Sequence, residues 1–239
     1  MSSDALSALG SATFYEPGYE HLIELVHERA ADPRRRLLSL DVALHDPEGK
    51  LLADIPVDPR EEILDLAELA TRHAPGAGRV MAVFDARFDG RIFPYRPHHY
   101  GYLHRRGSAS PSLYYAVTPS RGGVPDRHAT KVSILPNFES YLFLRRPLAE
   151  RFSVFLANLG RFAPGEAQLS AFYGDERVVQ DVHLAPRAHV ELPLEASRGG
   201  RLLGRVELKA VFRLAGYMVG RRVPEGDIVL FDHLFAYFT

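Results

Sequence analysis

One phrase in this chain occurs twice, and that repeat limits its fold more than any other feature. Residues 46–66 read DPEGKLLADIPVDPREEILDL, and residues 175–194 read DERVVQDVHLAPRAHVELPL. At a common spacing of 127 residues, Asp54 falls on Asp181, Pro59 on Pro186 and Arg60 on Arg187. At the same spacing Leu51, Leu52, Ile55, Val57 and Ile63 fall on Val178, Val179, Val182, Leu184 and Val190. Identities at turn positions that coincide with a shared apolar pattern mark an internal repeat. The match extends outward. LLSLDVALHD (37–46) pairs with AQLSAFYGD (167–175), GRV (78–80) with GRV (204–206), and HHYGYLH (98–104) with DHLFAYF (232–238). The copies then cover about 20–104 and 150–238, with length slips confined to turns, where they are tolerated.

The period of the pattern is two, which is the signature of strands with one buried face. VALHDPEGKLLADIPV and SAFYGDERVVQDVHL each read as strand, turn, strand. VMAVFDARF and VELKAVFRL are further strands, and the DP and AP steps break each run, since proline cannot join a central ladder. Short strands with frequent turns predict an all-β fold of two tandem β-sandwich domains related by internal duplication. The expected boundaries are 13–106 for the first, 107–136 for a strand-containing connector and 137–239 for the second. Residues 19–33 and 60–74 are helical by propensity. Their partners in the second copy, RFSVFLANLG and HVELPLEASRGG, are not, so strands are expected for both, with a helical turn within Glu61–Ala70 as the alternative. In the connector, LYYAVT and KVSIL are expected to bridge the sandwiches or to add edge strands, and YLFL to open the second sandwich.

Net charge is −1, so no overall field draws the chain to nucleic acid or to an anionic membrane. There is no cysteine, which excludes disulfides, thiolate metal sites and cysteine nucleophiles. No apolar run approaches the ~20 residues of a membrane helix. The N-terminal stretch lacks the basic start and apolar core of a secretory leader, so a cytoplasmic chain is expected. The segment 105–146 is locally basic, with seven Arg and Lys against Asp126 and Glu139, as suits either a solvated connection or an anion-binding strip.

FLANLG (155–160), LSAFYGDERVV and HLAPRAHVELPL together resemble the sensory-rhodopsin transducer family. The likeness covers about 90 residues of the second copy and, more faintly, the first. It implies a small oligomeric β-sandwich that works by binding and has no catalytic centre.

The densest polar and aromatic stretch is RPHHYGYLHRR (96–106). Extended, it sets His98, Tyr100, Tyr102 and His104 on one face, because alternate strand residues share a side. With Arg127 and His128 these residues are the expected ligand-binding set, in a cleft between the copies. Aromatic faces suit ring stacking, and Arg and His orient anionic groups. His98 and His104 are too far apart along a strand to hold one metal ion, and no HExxH spacing is present, so no cofactor is expected. No nucleophile elbow, P-loop or dinucleotide fingerprint occurs. The expected function is therefore non-catalytic binding or scaffolding. The partner would be a small molecule, a carbohydrate or a protein rather than nucleic acid, and a homo-oligomer is favoured. The alternative is a His/carboxylate enzyme, metal-dependent or not, built from residues 98–104 and 127–139.

Overall fold

The alternation seen in the sequence becomes β-structure in nearly every described segment of the computed structural model, which describes residues 8–25, 37–58, 60–88, 99–117, 137–141, 149–210 and 214–236. The first half holds β1 (Ala8–Tyr15), β2 (Tyr19–Leu25), β3 (Leu37–His45), β4 (Leu51–Val57), β5 (Ile63–Asp65), α1 (Leu66–His73), β6 (Val80–Phe88), β7 (His99–Arg105) and β8 (Leu113–Val117). The second holds β9 (Asn137–Tyr141), β10 (Arg151–Asn158), β11 (Gly165–Tyr173), β12 (Glu176–Leu184), β13 (His189–Leu194), β14 (Ser197–Arg198) and β15 (Arg201–Leu202). It ends with β16 (Arg205–Ala210), β17 (Leu214–Arg221), β18 (Ile228–His233) and β19 (Phe235–Ala236).

Four antiparallel sheets carry the fold. Sheet I has the order β5-β2-β7-β8 and sheet II the order β1-β6-β3-β4. Sheet III runs β13-β10-β17-β18, and sheet IV runs β12-β11-β16-β9-β19. β14 and β15 form a separate hairpin.

The side-chain contacts set sheet II between sheets I and III, and sheet III against sheet IV; sheets I and III also meet at one edge, where the Tyr115 and Phe231 centroids are 4.4 Å apart and the Ile228 amide donates to the Tyr19 hydroxyl at 2.9 Å. Sheet II turns Thr13 and Phe84 toward sheet I, where they meet Tyr115 and His99. Its other face turns Phe14 toward sheet III, with ring centroids 4.6 Å from Phe155 and 5.0 Å from Phe231. β10 then alternates between two cores. Phe155 and Ala157 join the cluster that contains the first half, while Val154 and Leu156 join the one facing sheet IV. β17 does the same, with Ala215, Tyr217 and Val219 on one side and Leu214 and Met218 on the other. Each buried Leu or Phe contributes about 2 kcal/mol of transfer free energy.

Charged groups rim the junction of sheets II and III. Arg221 pairs with Glu16 at 2.7 Å and lies 3.4 Å from Glu191, and Arg79 pairs with both carboxylates. Burial alone would push the Glu191 carboxyl up, but its Ser153 hydrogen bond and the two arginines outweigh it and hold it low. At another edge, Arg161 and Arg187 reach Asp85 at 2.9 and 3.0 Å, and the His189 amide donates to the Pro47 carbonyl at 3.0 Å.

Several expectations need correcting. Residues 66–73 form an α-helix, not a strand: Asp65 caps it by accepting from the Glu68 amide, and Leu66, Ala67 and Ala70 bury one face. Within 19–33, residues 19–25 are strand β2 and 26–33 lie outside the described residues. β8 is the edge strand of sheet I, one of the two roles expected for LYYAVT, so sheet I runs past the expected boundary at 106, and β1 begins before residue 13. KVSIL lies outside the described residues; β9 ends at Tyr141, the first residue of YLFL, and the rest of YLFL lies outside them too. No described helix is long and apolar enough to cross a membrane.

Candidate recognition face

β7 places its residues as alternation requires. His99, Gly101 and Leu103 are buried toward sheet II, and Tyr100, Tyr102 and His104 lie on the outer face of sheet I. Three of the expected ligand-binding residues are therefore brought together. His98, Arg127 and His128 lie outside the described residues.

The expected cleft between the halves is not where these residues lie. The space between sheets II and III is filled by Phe14, Phe155, Tyr217 and Phe231, all at or below 4% exposure. The tyrosines instead lie on the outer face of sheet I, pointing away from that core.

Neighbouring strands complete that surface. The register sets Tyr102 beside Leu22 on β2 and beside Tyr114 on β8, and sets Tyr100 beside Glu24. Tyr100 and Tyr114 stack diagonally, with centroids 5.6 Å apart and planes 12° from parallel. The Tyr114 hydroxyl donates to Glu24 Oε2 at 2.5 Å, and this bond, with some burial, pushes its pKa up to about 12. Tyr102 Oη lies 3.0 Å from Ser112 Oγ, which in turn lies 3.4 Å from His104 Nδ1. Tyr114 remains 63% exposed, so the stack is held in place by polar bonds rather than by cover. Pre-ordered aromatic rings cost little conformational entropy on binding. Flat faces and adjacent carboxylates suit ring stacking and cationic or hydroxyl-bearing partners.

Reading the sequence missed Tyr114, Glu24 and Ser112. The signal was present in part: Glu20, Leu22 and Glu24 alternate in YEHLIEL, and Tyr114 and Ala116 alternate in LYYAV. What was missing was the hairpin that sets β8 beside β7. That hairpin is anchored from the second half, where Asp227 accepts from Ser110 Oγ at 2.6 Å and also from Ser108 and Arg105.

Below the face lies a buried polar chain. Tyr115 Oη is 2.7 Å from Thr13 Oγ1 and 2.6 Å from His21 Nε2. Burial lowers the His21 pKa to about 3 and raises that of Tyr115, so both stay neutral. The arrangement is an internal brace, closed to solvent. Among the described residues, no three His, Asp or Glu side chains converge as a metal site would require.

No family model and no curated protein matches the chain. Among solved structures it is similar to Thermotoga maritima 1070, at 11% identity and a TM-score of 0.33, covering 44% of this chain and 95% of that one. It is also similar to the Streptomyces avermitilis α-L-rhamnosidase complexed with L-rhamnose, at 12% identity and a TM-score of 0.24, covering 95% of this chain and 26% of that one. Both likenesses are too slight to define a shared fold, and the chain is like these proteins only at that level.

Proposed function

We propose that this chain is a non-catalytic binding or scaffold protein whose recognition element is the outer face of sheet I. The observation that carries this reading is the exposed Tyr100–Tyr114 stack, braced by Glu24 in the middle of a sheet face. An unsupported exposed tyrosine is ordinary; a stacked pair, one of them hydrogen-bonded to Glu24, flanked by Tyr102 and His104 forms a platform. We further propose that the two halves are β-sandwiches that arose by tandem duplication. In support, β9-β16-β11-β12 repeats the order β1-β6-β3-β4, and β13-β10-β17-β18 repeats β5-β2-β7-β8. The kinship to sensory-rhodopsin transducers belongs to the same proposal and rests on the sequence phrases of the second half.

The test is amide chemical-shift mapping of the full chain under two titrations. One raises the concentration of the chain itself; the other adds soluble cello-, malto- and chito-oligosaccharides. Shifts confined to residues 99–105 and 113–117, and lost in a Tyr100→Ser/Tyr114→Ser variant, are expected in one of the two. No shift on these strands in either titration would overturn the reading.

A further inference from the structure

The chain twice builds the same unit, an aromatic ring and a carboxylate that together hold one arginine. Arg79 lies 4.9 Å from the Phe14 ring centroid and pairs at 2.8 Å with Glu16. Arg205 lies 4.0 Å from the Phe172 centroid and pairs at 2.9 Å with Glu207. The ring takes the flat face of the guanidinium and the carboxylate takes its in-plane N–H groups, so the two contacts do not compete.

The outer face of sheet I carries the ring and the carboxylate of such a unit. Glu24 stands beside Tyr100 on the adjacent strand, and Tyr114 comes from β8, on the far side of β7. For its hydroxyl to reach Glu24, the Tyr114 ring must lie across β7 and over Tyr100, and the 12° angle between the two planes agrees. One face of the Tyr114 ring is thus turned to Tyr100 and the other to solvent. The Glu24 carboxylate sits at the hydroxyl edge of that open face. Its Oε2 accepts from Tyr114, and Oε1 makes no bond among the described residues. An ionised carboxylate accepts from several donors at once, so the Tyr114 bond leaves capacity for another.

No described arginine completes the unit. The residues that the four strands turn to this face include Glu20, Glu24 and Asp65 and no Arg or Lys. Asp65 caps α1, while Glu20 and Glu24 form no ion pair among the described residues. Arg105, at the end of β7, has the inward parity and pairs with Asp227, and Arg106 lies in the turn beyond.

We propose that the outer face of sheet I takes an arginine of a partner protein, its guanidinium stacked on the open face of Tyr114 and donating to Glu24 Oε1. This rests on reading sheet I as the recognition face, and it names the chemistry of the partner. Arginine fits where lysine does not, because a planar guanidinium stacks on a ring and keeps its in-plane donors for a carboxylate, whereas an ammonium is compact and more strongly hydrated. A neutral sugar would also stack on the ring, but it would leave the charges of Glu20 and Glu24 unmatched. Glu20 stands four residues from Glu24 along β2, about 13 Å at ~3.3 Å per residue, so an extended partner with arginines four residues apart reaches both.

The experiment titrates the full chain with a blocked peptide carrying two arginines four residues apart, and with its lysine and citrulline counterparts, while amide chemical shifts are followed. The arginine peptide is expected to give saturating shifts on residues 20–24, 99–105 and 113–117. The lysine peptide is expected to bind about 3-fold more weakly. The citrulline peptide keeps the shape and loses the charge, so no saturating shift is expected from it. Glu24→Gln and Tyr114→Leu should each weaken the arginine peptide by about 2- to 5-fold, and added salt should weaken it further. The peptide series on the wild type carries the test by itself where a variant fails to fold. No saturating shift with the arginine peptide overturns the inference, as does equal binding of the lysine or citrulline peptide, a set of shifts that maps off sheet I, or a folded variant that binds as wild type does. If the arginine peptide shifts nothing while saccharides or a rising chain concentration shift sheet I, the partner is wrong and the recognition face stands. If none of these titrations shifts the sheet I strands, both fall.

Discussion

The Tyr217 hydroxyl donates to the Ala12 carbonyl across 2.7 Å, joining the central β17 of the second half to the edge strand β1 of the first. Tyr217 is fully buried, and its ring stacks 4.6 Å from Phe231. This contact ties the two halves into one core. Tyr217→Phe keeps the ring and removes the bond, at a cost of about 1 kcal/mol. Tyr217→Ala also opens a cavity and should cost ~3–5 kcal/mol. Urea unfolding followed by circular dichroism should show a single transition moving to lower urea in that order. Two separate transitions in the wild type would show that the halves do not share their core.

Gly101 and Tyr115 fit as a pair. Gly101→Ala drives a methyl into the Tyr115 ring and displaces a hydroxyl that contacts both Thr13 and His21. Overpacking of this kind costs ~1–3 kcal/mol. Tyr115→Phe leaves the ring and strips the buried Thr13 and His21 of a partner, a loss of ~1–3 kcal/mol. If the clash is the cause, the double variant Gly101→Ala/Tyr115→Leu should recover part of the Gly101→Ala loss. Melting temperatures of these variants and of Tyr115→Leu alone check this, and strict additivity of Gly101→Ala and Tyr115→Leu would count against it.

Acid should loosen the junction before it titrates most carboxylates. Burial, helped by Arg79, lowers the His189 pKa from 6.5 to about 4, and burial lowers that of His21 to about 3. Their ordinary pKa applies once the chain unfolds, so below about pH 6.5 the unfolded chain binds protons that the native histidines refuse. Stability is then complete above that pH and falls as the medium is acidified, by about 1.4 kcal/mol per pH unit for each histidine. Glu191 and Asp227, both held low in the native chain, enter only nearer the carboxylate range. His189 has neither ring nitrogen hydrogen-bonded, so His189→Leu should flatten the loss between pH 6.5 and 5 by one histidine's share. Urea midpoints across that range measure it, and an unchanged slope would remove His189 from the account.

Much of the fold was legible in the sequence because a strand with one wet face writes its geometry locally. The alternation in HYGYLHR predicted which of Tyr100, Tyr102 and His104 share a side, and the structure keeps them together. The alternation in LLADIPV and ERVVQDVHL predicted a hairpin in each half, and β3–β4 and β11–β12 are those hairpins. The helix over 66–73 was misread because HVELPLEASRGG, the segment matched to it by sequence, does not read as helical. A local cap, Asp65 onto Glu68, decides that segment, and the repeat has no influence over it.

The repeat also shows where such reading ends. Arg60 and Arg187 are the same letter in the same phrase. Arg60 is exposed, whereas Arg187 is 8% exposed and paired with Asp85 of the other half. Likewise Tyr102 faces outward and Tyr217 lies at the centre of the molecule. The sequence by itself determined the strands, their turns and which side chains share a face, because those follow from neighbours along the chain. Only the tertiary structure decided which of those faces is covered, because that depends on packing between residues about 200 positions apart.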